Sequence, residues 1–231
     1  MKKAIIVGAS SGIGQELARV MVRDEYLVAI VGRRLELLNA IREEYPDRII
    51  SRVIDISQLP ESMHELEKLI EEMQGVDVIV ISAGVGFINR DLEWQAEKQT
   101  IDVNVLGFTA VCNVALKQFY KQGSGHLVGI SSIAALLGNS DAPAYNASKA
   151  FVSNYLQGIR AKVKKDRQNI TITEIKPGFV DTAMAQGEVL FWVAKVPKAA
   201  EQIYQAIKRK KKHAYITRRW RLIGWILRLK P

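Results

Sequence analysis

The chain has 231 residues, of which 48% are hydrophobic and 25% are charged. These ordinary values exclude wholesale disorder, and the length suits one well-buried α/β domain rather than two. The formal net charge of +9 comes from the end of the chain, since residues 195–231 carry +11 and residues 1–194 carry −2, which argues against a nucleic-acid-binding core.

Seven apolar runs rich in β-branched residues follow one another along the chain, and helical patterns separate most of them. They lie at residues 3–7, 27–31, 49–53, 76–81, 126–130, 170–175 and 214–217. Continuous rather than alternating apolarity predicts strands covered on both faces, as in a doubly wound parallel sheet with helices on both sides. In such a sheet we expect the ligand beyond the carboxyl ends of the strands, where the strand order switches.

The start of the chain reads as a first strand. Met1-Lys2-Lys3 precedes an apolar run that is too short for a signal peptide and ends at Gly8. No run of about 18 apolar residues is long enough to span a bilayer. The single Cys112 cannot form an internal disulfide and is expected in the core, which suits a reducing cytoplasm. The sequence contains no spaced Cys/His cluster of the kind that binds a metal.

The first two strand ends carry features of a dinucleotide site. Gly8, Gly12 and Gly14 follow the first strand and open a helix, where a turn without side chains lets backbone N–H groups approach a pyrophosphate. Arg33 and Arg34 follow the second strand, which ends without the acid that would hold a ribose 2′-hydroxyl. Two guanidiniums there suit a 2′-phosphate and favour NADP. The alternatives are that the glycines only permit a turn and that the arginines only begin a solvated helix.

A second group of residues suits acid–base chemistry. Tyr145 and Lys149 are four residues apart and share one helix face, and Ser132 lies thirteen residues before the tyrosine. A nearby cation favours the phenolate, so Lys149 is expected to lower the tyrosine pKa from its ordinary value of about 10. A Tyr/Lys pair at this spacing also occurs by chance on solvated helices, and Ser131 is the neighbouring alternative to Ser132.

The glycine run, Ser132 and the Tyr145/Lys149 pair together resemble the short-chain dehydrogenase/reductase family over about residues 4–182. The resemblance implies a Rossmann-like doubly wound sheet of about seven strands, a nicotinamide dinucleotide and a catalytic set that also includes Asn104. It implies that Tyr145 donates the proton and that Ser132 hydrogen-bonds the carbonyl oxygen. Lys149 would bind the nicotinamide ribose and favour tyrosinate, and Asn104 would hold a water that links the lysine to solvent.

Most of the cofactor contacts implied by this resemblance follow the predicted strands. They are Gly8, Ser10, Ser11, Gly12, Ile13, Gly14, Arg33, Arg34, Asp55, Ile56, Ser82, Ala83, Gly84, Asn104, Tyr145, Lys149, Pro177, Gly178, Val180 and Thr182. In this family Asp55 would face the adenine amine, and Val180 and Thr182 would hold the nicotinamide carboxamide. The chain departs from the family pattern at Val7, where Thr is usual, and at Ser82, where Asn is usual.

The predicted function is NADP(H)-dependent hydride transfer between the nicotinamide and a carbonyl or secondary alcohol of a small molecule. An apolar substrate is expected because residues 182–197, where the family places its variable substrate loop, carry Met184, Val189, Leu190, Phe191, Trp192 and Val193. The alternative is that these side chains pack on the protein itself. A function of a different class, NADP(H) sensing without catalysis, would use the same fold but does not require a proton donor.

The end of the chain is a basic apolar tail at residues 218–231, following a domain expected to end at residue 217. Trp220 and Trp225, flanked by arginines, suit peripheral contact with an anionic bilayer. A helix packed on its own domain or on a second subunit explains the same pattern. Helices around residues 97–120 and 145–165 resemble those through which family members form dimers or tetramers, so we expect a homo-oligomer.

Overall fold

The computed structural model describes residues 1–182 and 192–222, which form a seven-stranded sheet in the order β3-β2-β1-β4-β5-β6-β7. The strands are β1 (Lys3–Val7), β2 (Leu27–Gly32), β3 (Ile49–Val53), β4 (Val78–Ile81), β5 (Ser124–Ile130), β6 (Asn169–Pro177) and β7 (His213–Ile216). All neighbouring pairs are parallel. The seven predicted strands are therefore confirmed, and β6 continues two residues further than predicted.

Helices cover both faces of the sheet. They are α1 (Gly12–Arg23), α2 (Leu35–Glu44), α3 (Glu61–Glu72), α4 (Trp94–Ile101), α5 (Phe108–Gln122), α6 (Pro143–Lys165) and α7 (Val196–Lys208). One hydrophobic cluster packs α1, α2 and α7 on the sheet, and a second packs α3, α5 and α6 on the opposite face. Ile5 and Ile6 are adjacent in β1, belong to different clusters and are both 0% exposed. Because successive strand residues point to opposite faces, a central strand is apolar at every position.

The strand order reverses between β1 and β4. The chain places β2 and β3 on one side of β1 and then returns to build β4 on the other side. Main-chain hydrogen bonds continue past the strand ends, since the Ser82 and Ala83 N–H groups both donate to the Val7 carbonyl at 2.8 Å. The loops after β1 and β4 diverge from this point, so the crevice for a ligand opens at the carboxyl edge of the sheet.

Helix α4 continues through a π-helical turn (Asp102–Gly107) into α5, so the helix predicted at residues 97–120 is part of a longer run, Trp94–Gln122. This run is long and apolar enough to cross a membrane, with a mean hydropathy of 1.2, but 56% of its most apolar window is buried inside the protein. Cys112 and Phe119 belong to the core under the sheet, as predicted for the cysteine, and burial raises the pKa of its thiol. Packing on the sheet therefore accounts for the apolar character of the run.

Strand β6 carries a buried charged pair that faces α6. Glu174 and Lys176 are 1% and 3% exposed and form an ion pair with each other. The Ser153 hydroxyl of α6 donates to Glu174, and His213 Nδ1 of β7 lies 2.9 Å from Glu174 Oε2. Burial acts to raise the pKa of the Glu174 carboxyl, but its hydrogen-bonding and charged partners together lower it to about 2. The pair thus joins β6, β7 and the helix that carries Tyr145.

We expect Glu174→Gln to lower the free energy of unfolding by about 3 kcal/mol at neutral pH, because Lys176 loses its buried ion pair with Glu174. The folded-state pKa lies below the ordinary 4.5, so this stabilisation is complete above that pH and is lost as the pH falls towards 2. Urea denaturation near neutral pH and near pH 3 measures it. Glu43→Gln, on the exposed side of α2, is the control and should stay within about 0.5 kcal/mol. A wild-type-to-variant difference that does not narrow on acidification contradicts the prediction.

Candidate active site

The loop between β1 and α1 forms a cradle without side chains. Gly8 has a φ of +87°, and a Cβ added there would overlap the backbone of Ala83 in the loop after β4. A Cβ at Gly14 would overlap the Gly8 carbonyl. Helix α1 begins behind this turn with no side-chain cap from Ser11 and no acid in its first turn. The N–H groups of such a helix start, with close backbone approach, suit a pyrophosphate.

The two arginines after β2 have different surroundings. Arg34 donates from Nε and Nη2 to Ser10 Oγ at 3.2 and 2.8 Å, and from Nη2 to Ser11 Oγ at 2.7 Å. Arg33 has a half-exposed side chain and lies 3.8 Å from the carboxylate of Asp55. Arg34 and the two serine hydroxyls therefore form a cluster of donors at the β2 end of the cradle, whereas the charge of Arg33 is partly neutralised. The sequence had placed both arginines at this position without distinguishing them.

The predicted acid–base residues come together at the other end of the crevice. Helix α6 begins with Pro143 in its first turn, where a fixed φ and a missing N–H cost nothing, so Tyr145 and Lys149 lie in its first two turns. Lys149 Nζ lies 5.8 Å from the centre of the Tyr145 ring and donates to the Ile130 carbonyl at 3.2 Å. Ser132, at the end of β5, is 8% exposed, and its Oγ accepts from the Ala134 N–H at 3.1 Å.

Burial controls the pKa values of this group. It lowers the pKa of the Lys149 ammonium to about 8. It also raises the pKa of the Tyr145 phenol, while the neighbouring Ser132 hydroxyl acts in the opposite direction. In the protein chain by itself the pKa of Tyr145 therefore lies above its ordinary value rather than below it as predicted, because desolvation of the phenolate is the largest effect on it.

The side chains of Ser131 and Ser132 have different hydrogen-bond partners. Ser131 Oγ donates to the Lys149 carbonyl at 3.1 Å and lies 3.0 Å from Ser153 Oγ, so it is bonded into α6. The Ser132 side chain instead interacts with that of Tyr145. Ser132 is therefore the serine that faces the tyrosine, and its catalytic role stays a prediction.

Asn104 lies in the π-helical turn, and its side chain hydrogen-bonds two segments that line the site. Its Oδ1 accepts from the Val85 N–H at 2.8 Å, and its Nδ2 donates to the Val85 carbonyl at 2.8 Å and to Ser148 Oγ at 3.0 Å. Both amide hydrogens are therefore engaged with the protein, and the side chain ties the loop after β4 to α6 next to Lys149. The sequence indicated Asn104 as a water-holding residue and gave no sign of this bracing role.

The loop after β6 approaches the cradle from the opposite side. The Gly178 N–H donates to the Ile216 carbonyl of β7 at 2.6 Å, and Thr182 Oγ1 donates to the Val180 carbonyl at 3.3 Å. The Thr182 methyl group lies 3.2 Å from the position that a Cβ on Gly12 would occupy. Gly12 in the loop after β1 and Thr182 in the loop after β6 are therefore close to each other across the crevice.

One cleft of about 1410 Å³ unites the predicted site residues. It is lined by every one of them except Gly14 and Asn104, which lie behind its wall. The cleft is also lined by residues that the sequence did not assign to the site, among them Val85, Gly86, Phe87, Ile88, Leu137, Phe179 and Trp220. These come from loops that are distant in the chain, so no local pattern marked them.

Trp220 is a correction to the predicted tail. Its side chain is 3% exposed and packs on Gly178, so the expectation that Trp220 enters a bilayer is wrong. Trp225 and residues 223–231 lie outside the described residues, as do Met184, Val189, Leu190 and Phe191 of the predicted substrate loop. Trp192 and Val193 are described and are 44% and 41% exposed.

Comparison with known proteins gives a consistent family match. The family model described as short chain dehydrogenase matches residues 2–191. An uncharacterized oxidoreductase of Myxococcus xanthus is 34% identical over 188 residues, which are 79% of this chain and 74% of that protein. An uncharacterized oxidoreductase of Staphylococcus aureus is 30% identical over 186 residues, 79% of this chain and 80% of that protein.

Solved structures share the fold over almost the whole chain. The alcohol dehydrogenase of the archaeon Thermococcus sibiricus, complexed with 5-hydroxy-NADP, has a TM-score of 0.82 and 25% identity, covering 93% of this chain and 95% of that one. A short-chain dehydrogenase of Sphingobium yanoikuyae in complex with NADPH has a TM-score of 0.83, covering 98% of this chain and 93% of that one. The sequence identity to the Sphingobium yanoikuyae enzyme is 21%, so this similarity shows the fold alone.

Proposed function

The chain belongs to the short-chain dehydrogenase family of oxidoreductases, and on that premise we propose that it uses NADP(H) to interconvert a carbonyl group and a secondary alcohol. The observation that carries the proposal is a single cleft with a phosphate-suited cradle at one end and Tyr145, Lys149 and Ser132 at the other. A dinucleotide is an elongated ligand, so one molecule can occupy both ends of the cleft.

Residues at the β2 end support NADP(H) over NAD(H). Arg34 is held at the cradle by hydrogen bonds to Ser10 and Ser11, and it places a guanidinium charge there beside two serine hydroxyls whose own O–H groups can donate to phosphate oxygens. An NAD-preferring site would instead hold the ribose 2′-hydroxyl with an acid at this strand end, and β2 ends in Gly32 followed by two arginines. The Thermococcus sibiricus relative, complexed with 5-hydroxy-NADP, agrees with this choice.

The chemistry is divided between the ligand and the chain. Bound in this cleft, NADPH would supply a hydride to the carbonyl carbon. The Tyr145 hydroxyl would give its proton to the oxygen, and the Ser132 hydroxyl would donate a hydrogen bond to that oxygen as negative charge develops. Lys149, beside the ring, would stabilise the tyrosinate that remains and bind ribose hydroxyls.

The substrate end of the cleft favours an apolar molecule. Gly86 lies against the Tyr145 ring, because a Cβ on the glycine would be 2.8 Å from the ring carbon Cδ2. The neighbouring loop residues Phe87 and Ile88 also line the cleft, as does Leu137 after β5. Burial of apolar substrate surface against these residues stabilises the complex by about 25 cal/mol per Å².

A homo-oligomer is proposed on the face formed by α4 and α6. Ile101 and Leu106 are 40% and 50% exposed, and Trp94 is 65% exposed on the same helical run. A shallow groove beside them is lined by Val105 and Ala144 among other small or apolar residues. Exposed apolar side chains of this kind mark association surfaces, and sedimentation analysis of the purified protein tests the assignment.

The function is tested by titrating the purified protein with NADPH and NADH and then assaying a panel of aldehydes and ketones of increasing apolar size. We expect tighter binding of NADPH and carbonyl-dependent oxidation of it, with the larger apolar carbonyls preferred. Failure to bind either dinucleotide would refute the proposal. Binding of NADPH without turnover of any carbonyl or alcohol would instead favour the sensing function.

A further inference from the structure

We propose that Trp220 is a positioning residue for the nicotinamide end of the cleft, and this inference rests on the NADP(H) function proposed above. The indole backs the loop 177–182, whose Val180 and Thr182 are the proposed partners of the nicotinamide carboxamide. Removing the ring would release that end of the dinucleotide while the adenine end stays bound.

The first observation is the contact between Trp220 and Gly178. A Cβ added to Gly178 would overlap the indole at Cε2, Nε1 and Cδ2, so the ring lies directly on the main chain of the loop. The φ of this glycine is outside the left-handed region, and the three atoms nearest to an added Cβ all belong to the indole, so the ring is the first obstacle to an alanine at this position. A glycine at this position therefore allows the Trp220 ring to approach the main chain closely.

The second observation is that the ring is held at a fixed place. Trp220 follows β7 by a short turn in which its N–H donates to the Thr217 carbonyl at 3.0 Å. The Gly178 N–H is itself bonded to the Ile216 carbonyl at 2.6 Å. Both the loop and the residue that covers it are thus anchored to the end of β7, a rigid element of the sheet.

The third observation is an aromatic cluster that joins both ends of the segment between β6 and α7. Trp220 makes edge contacts with Phe179, at 5.4 Å and 81°, and with Trp192, at 6.0 Å and 80°. Arg219 lies over the Trp192 ring at 6.0 Å. Phe179 lies near the start of this segment and Trp192 lies near its end. Val180 and Ala194 form an isolated parallel β-bridge between the two ends. One indole therefore contacts the chain before and after residues 180–191.

These contacts bear on one end of the cleft only. The Thr182 methyl group lies 3.2 Å from the Cβ position of Gly12, so a shift of the loop changes the gap next to the cradle. Arg34, Ser10 and Ser11 are bonded to each other and not to this loop. A loss of Trp220 is therefore expected to affect ligands that reach the nicotinamide end and to spare those that stop at the adenosine 2′-phosphate.

The first experiment measures this difference by calorimetric titration with NADPH and with adenosine 2′-monophosphate, which lacks both the nicotinamide and the 5′-phosphate. We expect Trp220→Ala to weaken NADPH binding about tenfold or more and to leave binding of the monophosphate unchanged. Trp220→Phe keeps an aromatic ring on the loop and should retain most of the NADPH affinity. Leu59→Ala, at an exposed side chain outside the cleft, is the control and should change neither ligand.

The second experiment tests the contact itself with Gly178→Ala, alone and combined with Trp220→Ala. The single glycine variant should lose NADPH affinity selectively, because the new methyl group pushes the ring and loop apart. In the absence of the indole the same methyl group has room, so the double variant should bind NADPH like Trp220→Ala alone. Gly178→Ala also serves if Trp220→Ala does not fold.

Additive losses in the double variant, or equal losses for NADPH and adenosine 2′-monophosphate, would overturn the positioning role. Unchanged NADPH binding in Trp220→Ala would overturn it as well. Absence of NADPH binding by the wild-type protein is a separate result, because it contradicts the proposed function from which this inference starts.

Discussion

Tyr145→Phe is expected to lower turnover by about a thousandfold, because it removes the proton donor, and general acid–base catalysis contributes about 10²–10⁴. NADPH binding should survive, since Lys149 and the cradle from Gly8 to Gly14 are unchanged. Steady-state assays with the best carbonyl from the panel give the rate, and fluorescence titration gives the affinity. The separation of the two readouts assigns the hydroxyl to chemistry rather than to ligand binding.

The matched control for this variant is Tyr155→Phe. It makes the same chemical change on the same helix, at a residue that stacks on Phe151 and lies outside the cleft, so turnover should remain close to wild type. Wild-type turnover in Tyr145→Phe would refute the proposed mechanism. Equal loss of rate in both tyrosine variants would show that the effect comes from α6 as a whole.

Replacing Arg33 and Arg34 with Ala is expected to weaken NADPH binding far more than NADH binding. A hydrogen bond to a charged group contributes about 1.5–3 kcal/mol, so loss of two such bonds to the 2′-phosphate corresponds to about a hundredfold or more. The single Arg34→Ala variant should account for most of the loss, because Arg34 lies on Ser10 and Ser11 whereas Arg33 is opposed by Asp55. Parallel titrations with both dinucleotides measure the ratio.

Arg42→Ala provides the control for net charge. Arg42 is exposed near the end of α2, away from the cleft, and its removal should change the affinity for NADPH and NADH little. If the Arg33/Arg34 variant loses both dinucleotides equally, the arginines do not recognise the 2′-phosphate. If Arg42→Ala has the same effect as Arg34→Ala, the loss reflects the overall charge.

The strands and their parallel pairing were predictable because their cause is local in the sequence. A strand buried on both faces needs apolar residues at consecutive positions, and Ile5 and Ile6 meet that need on opposite sides of β1. The glycine spacing at Gly8, Gly12 and Gly14 was equally readable, since a close turn before a helix excludes side chains whatever the rest of the chain does. Tyr145 and Lys149 were paired by helix geometry alone.

Tertiary structure decided which side chains meet across the cleft. Strand order places the ends of β2 and β4 on either side of β1, and packing at this edge brings Asn104 to Val85 and Arg34, rather than Arg33, to Ser10. Packing also buries Trp220, which was expected to contact a bilayer, in the wall of the cleft. Near-neighbour periodicity encodes the burial of each element, whereas contacts between loops far apart in the chain depend on packing that no short stretch of sequence contains.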